Sequence, residues 1–148
     1  MREPTEQEIA KYTPRYSFER EVNFEDQWRG QWTAAEELPD AAPVNYAYAV
    51  VMRNDRGYVT RKIGTELWLT VEVPMEVGDD PEAMVREAVL QQTGATISDF
   101  FMSGFFESKA TKENTEHESG TIRIRALYAV VADSVDDVPE DSGYQRRR

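Results

Sequence analysis

The sequence predicts one α/β domain, and three observations carry that expectation. The chain has 148 residues, of which 40% are hydrophobic and 11% aromatic, enough for a single sizeable core. Five runs carry strand patterning between turn residues: "NYAYAVVMR", "YVTRKI", "ELWLTVEV", "TISDFFMSGFFE" and "TIRIRALYAVVA". One segment, residues 81–93, carries helical spacing with its own start and stop signals.

From the N-terminus, residues 1–43 form an acidic, aromatic extension expected to pack on the core. A short helix is predicted over residues 5–11, where Thr5 and Glu8 have capping-box spacing. Trp28 and Trp32 in "WRGQW" are too apolar to leave in water, so they should pack against the main body. "ELPDAAP" is a linker ending at Pro43. The main domain, 44–133, opens with a strand over 45–53 whose alternation becomes continuously apolar, as in a buried strand. "NDRG" (54–57) turns the chain into a strand over 58–63, and residues 66–73 supply a third. In the helix, Pro81 suits the first turn, Glu82 the positive end of the dipole, and Gly94 the position just past the end. Met84, Val85, Ala88 and Val89 recur at helical spacing as its buried stripe. Residues 96–107 and 121–132 are the last strands, joined by the charged stretch "SKATKENTEHESG". The tail, 134–148, is polar and expected to be mobile, with terminal arginines that could grip an acidic partner.

Charge and composition set limits on function. A net charge of -11 and a pI near 4.6 repel nucleic-acid backbones and anionic membranes. The absence of cysteine excludes disulfides, thiolate metal sites and a cysteine nucleophile. "MREPTEQEIAKY" is too polar for a signal peptide, and no apolar run approaches membrane-spanning length. The expected setting is soluble and cytoplasmic.

The stretch "WLTVEVPMEVGDDPEAMVREAVLQQTGA", residues 68–95, gives a strand, an acid-rich turn, a helix and a Thr-Gly stop. It resembles the box of the Nudix hydrolase superfamily, whose pattern is Gly-x5-Glu-x7-Arg-Glu-aliphatic-x-Glu-Glu-x-Gly-aliphatic. Anchored on Thr93, Gly94 and Ala95, the alignment from Val73 to Ala95 has no gaps. The resemblance extends over residues 45–133 and implies a Nudix-like α/β/α sandwich around a mixed β-sheet. The box itself is degenerate. The family's leading glycine falls on Val73 and the one before it on Glu72, while the first acid is shortened to Asp79. The arginine becomes Glu87, its neighbouring glutamate Ala88, and the Glu-Glu pair Gln91 and Gln92. An Arg-Glu pair does occur at Arg86 and Glu87, but one residue early.

The family's chemistry needs those acids. Glutamates at such spacing line one helical face, where their oxygens hold hard divalent cations against a diphosphate. The metals offset charge as water attacks phosphorus, and a carboxylate acts as general base. Glutamine offers a neutral carbonyl and alanine nothing. The resemblance therefore implies a domain that binds a nucleotide-like or otherwise phosphorylated ligand, or a partner protein, without efficient hydrolysis. Ligand-binding candidates are Arg61, Arg123, Arg125, Gln91 and Gln92. Arg123 and Arg125 alternate with Ile122 and Ile124, so they share one sheet face and would clamp an anion if turned toward the helix.

Two alternatives stay open. One is a hydrolase of a nucleoside diphosphate linked to another moiety, working through relocated acids. Its catalytic candidates are Glu72, Asp79 and Glu116, its metal candidates Glu76 and Asp79, and only this reading calls for Mg or Mn. The plainer role of those turn acids is to favour the helix N-terminus, and His117 in its charged loop is more simply exposed. The other alternative is a structural or oligomerisation domain, a homodimer formed through Trp28, Trp32 or the Phe-rich strand.

Overall fold

The computed structural model describes residues 21–24 and 26–147, so the helix predicted over 5–11 lies outside the described residues. The strands are β1 (Glu21–Phe24), β2 (Trp28–Ala34), β3 (Val44–Arg53), β4 (Arg56–Lys62), β5 (Val71–Pro74), β6 (Ala95–Ala110), β7 (Ile122–Val135) and β8 (Tyr144–Arg147). The helix α1 (Pro81–Thr93) stands between β5 and β6. The strands form one mixed sheet in the order β1-β2-β6-β7-β3-β4-β8, with β5 also paired to β3. The β3–β7 pair is parallel and the other pairs are antiparallel. This is the α/β fold the sequence predicts, with α1 as the only α-helix among the described residues.

The core follows from strand alternation. Ala47, Ala49 and Val51 of β3 are buried and pair in register with Ala126, Tyr128 and Val130 of β7. They join Val71 of β5 and the helix residues Val85, Ala88 and Val89 in one cluster. Small side chains on the sheet let the helix approach closely. The alternate residues, Tyr46 and Tyr48 among them, therefore face away from α1. Trp28 is 4% exposed, and Trp32 packs its ring 4.9 Å from that of Phe106, so both indoles pack on the body of the sheet.

Helix α1 is fixed at both ends by chemistry legible in the sequence. The Asp80 side chain accepts from the Glu82 backbone N–H at 3.1 Å, capping the first turn. Gly94 ends it in the left-handed conformation, φ 78°. A Cβ there would lie 2.2 Å from the Asp136 carbonyl oxygen, so glycine is required by space as well as by backbone.

Two expectations are corrected. The strand expected over 66–73 is shortened to Val71–Pro74, and residues 63–70 form a loop whose strand-type pairing to β4 is the isolated Thr60–Leu69 bridge. The reason is competition for one edge of β3: β4 takes Val51 to Arg53 and β5 takes Tyr46 to Ala49. The segment after Asp133 is not simply solvated. β7 runs to Val135, and β8 pairs with β4 from Lys62↔Tyr144 to Val59↔Arg147. Arg146 donates to the carbonyls of Thr93, at 2.9 Å, and of Asp136, placing a cation at the negative end of α1.

Candidate functional site

Where α1 ends, the helix, β5, β4 and β8 surround a pocket of about 290 Å³. Gln92 of α1, Glu72 of β5, Tyr46 of β3, Thr60 and Lys62 of β4 and Tyr144 of β8 line it. The loop between β4 and β5 adds Thr65, Leu67, Leu69 and Thr70.

Gln92 is 6% exposed and its Nε2 donates to the backbone carbonyl of Glu72 at 3.0 Å. The Gln92 backbone carbonyl accepts from the Thr60 hydroxyl at 3.1 Å, tying the helix end to β4. The Glu72 side chain turns to the other sheet face, where it accepts from the Tyr46 hydroxyl at 3.1 Å. Burial, and then the Glu72 carboxylate, push the Tyr46 phenol well above its ordinary value. Burial also raises Tyr48, against the lowering effect of Arg125 beside it.

The remaining sequence candidates disperse. Ala88 is 9% exposed and belongs to the core, so of Ala88, Gln91 and Gln92 only Gln92 reaches the pocket. Gln91 donates instead to Glu87, one turn back. Asp79 closes its own turn, accepting from the Glu76 N–H at 2.9 Å. Glu76, Asp79 and Asp80 are exposed, and among the described residues no three acidic or histidine side chains gather as a metal site. Glu116 is exposed on the loop after β6, outside the pocket lining, with its N–H on Asn114. His117, expected in solvent, is half-buried with its ring 5.0 Å from Trp28.

The basic candidates also separate. Arg61 stacks over Trp68 at 4.7 Å and bonds Gln145, beside the pocket rather than in its lining. Arg123 and Arg125 do share a face, but it is the face opposite α1. The pair therefore makes no clamp beside the helix: Arg123 donates to the Ile122 carbonyl, and Arg125 is bound to Asp26 and Tyr48. Sequence reasoning missed Tyr46, Tyr48, Asp26, Thr60 and Tyr144. The alternation "YAY" was the available signal for the two tyrosines, since it puts both rings on one face.

The fold is a curled mixed sheet with one helix seated after β5, similar to that of a Nudix neighbour. Among solved structures it is similar to the Bacillus subtilis pyrophosphohydrolase BsRppH, solved as a point mutant, with a TM-score of 0.65 over 86% of this chain and 76% of that one. Sequence identity is 14%, so the likeness is one of fold. No family model and no curated protein matches the sequence. No helix among the described residues is long and apolar enough to cross a membrane.

Proposed function

We propose that this Nudix-like domain binds a nucleotide-like, phosphorylated small molecule in the pocket at the end of α1, without metal-dependent hydrolysis. One observation carries the reading: the Gln92 amide donates directly to the Glu72 carbonyl. Two acceptors facing one another there, a carboxylate and a carbonyl, would call for a cation or proton between them. An amide closes the contact with neither. Lys62, the Thr70 hydroxyl and Tyr144 supply donors for phosphate and sugar oxygens, and Leu67 and Leu69 supply an apolar surface for a base. At about 290 Å³ the pocket is at the small end of ligand sites, which run from roughly 300 to 1,000 Å³, and suits one nucleotide rather than two joined.

The rival reading, hydrolysis of a nucleoside-diphosphate-linked substrate, draws on the pyrophosphohydrolase of similar fold and on Glu72 at the pocket wall. A thermal-shift screen of nucleotides and nucleotide sugars, with and without Mg or Mn, separates the two. The binding reading expects a ligand that raises Tm equally with and without metal and is recovered intact. Divalent-dependent release of a phosphate-bearing product would overturn it in favour of the hydrolase.

A further inference from the structure

Arg125 is a charged side chain 5% exposed within a sheet, and its surroundings have the chemistry of a receptor. The rings of Phe24 and Tyr46 lie 3.9 and 5.1 Å from the guanidinium, and Nη1 donates to the Tyr48 hydroxyl at 3.1 Å. The anion it meets is Asp26, on the turn between β1 and β2. Both carboxylate oxygens crowd onto Nη2, at 2.8 and 2.6 Å. Nε, on the same edge of the guanidinium plane, is buried with no partner among the described residues. The Tyr48 hydroxyl accepts from Arg125 and keeps its own hydrogen to donate. Asp26 thus leaves donors unused that a better-matched anion would engage, because guanidinium binds oxyanions best through two nitrogens at once.

Nor is the carboxylate what holds this turn in place. The Thr111 N–H and hydroxyl both donate to the Gln27 carbonyl at 3.1 Å, and Asn114 Nδ2 reaches the Asp26 and Gln27 carbonyls at 3.4 and 3.2 Å. The backbone is fastened without the Asp26 side chain, which is itself 55% exposed. A carboxylate serving only as a fastener would be redundant here.

We propose that Arg125, Tyr48 and the flanking rings of Phe24 and Tyr46 form a binding site for the phosphate of a small phosphate monoester, and that Asp26 is its displaceable internal occupant. Three phosphate oxygens can meet Nη2, Nε and the Tyr48 hydroxyl together, which one carboxylate cannot do. The site is on the sheet face opposite α1 and shares only Tyr46 with the lining of the Gln92 pocket, so it does not rest on that pocket binding a nucleotide.

Titration with inorganic phosphate at constant ionic strength, followed by the Arg125 Nε–H resonance, tests this. Asp26→Asn should bind phosphate about tenfold more tightly than the wild type, and adding Tyr48→Phe should remove most of that gain. Acetate in the same titration should bind more weakly than phosphate. If it binds equally, the site is for carboxylates and the phosphate assignment fails. Equal phosphate affinity in wild type and Asp26→Asn, or saturation without movement of the Nε–H, overturns the site. Should Asp26→Asn fail to fold, the wild type decides: phosphate must shift the Arg125 Nε–H and Asp26 resonances together, and no shift ends the proposal.

Discussion

Gln92 and a glutamate differ in one terminal group, yet the Glu72 carbonyl would meet them with opposite sign. Gln92→Glu should lower stability by about 1–3 kcal/mol in chelator, because it sets an ionised acceptor against a buried one. Urea melts should show part of that loss restored by millimolar Mg or Mn. The loss should also shrink as pH falls, since burial raises the new carboxyl group and the protonated acid can donate to the carbonyl. A wild-type-like melt in chelator would remove the argument for a metal-free site. Ala88→Glu, by contrast, places a carboxylate in the core and should cost several kcal/mol with no rescue by metal. Tyr46 gives a second pH test. Its phenol is raised in the fold, so above pH of about 10 the unfolded chain loses its proton first and stability falls as pH climbs. Tyr46→Phe should flatten that alkaline decline in chemical denaturation, while costing about 1 kcal/mol at neutral pH through the lost bond to Glu72. That residues 88, 91 and 92 are not acids could be read from single letters. The partner of Gln92 could not, because the Glu72 carbonyl reaches it only through the fold.

Among the elements, α1 was the most legible because its signals are local: Asp80, Pro81 and Gly94 act on backbone within one turn of themselves. Strand ends were less legible because they depend on which neighbour claims an edge, as residues 66–70 show. Strand β8 was missed for the same reason. "YQRR" has no apolar alternation, and its pairing to β4 and the Arg146 bond to Thr93 arise from distant residues. The ends of α1 can be tested by two glycines. Gly94→Ala and Gly78→Ala both force a positive φ, at 78° and 104°, which costs about 1–3 kcal/mol. Only Gly94 also meets backbone oxygen, whereas the space around Gly78 is open. The Gly94 variant should therefore be markedly less stable in parallel denaturant melts. Equal losses would mean the Asp136 segment yields freely. Arg146→Ala should cost about 1 kcal/mol by removing the cation from the helix end.

Across the whole molecule, a net charge of -11 opposes compaction and any anionic ligand at long range. Raising salt from about 10 to about 150 mM shortens the Debye length from about 30 to about 8 Å. Tm should then rise by about 2–4 °C, equivalent to about 1 kcal/mol. A falling Tm would mean that local ion pairs such as Arg125–Asp26 outweigh the global repulsion. The division of labour between β4 and β5 has a further consequence. Two ribbons leaving one edge of β3 must splay apart, and the gap of that fork is where the pocket opens. The strand carries the fork, while the 63–70 loop only drapes its opening, with Leu67 69% exposed and no Cβ neighbour near Gly64. The lining of the proposed ligand pocket is thereby separated from foldedness. Selection could rewrite residues 63–70, in length as well as in letter, and retune what enters the fork while leaving Ala47, Ala49 and Val51 untouched.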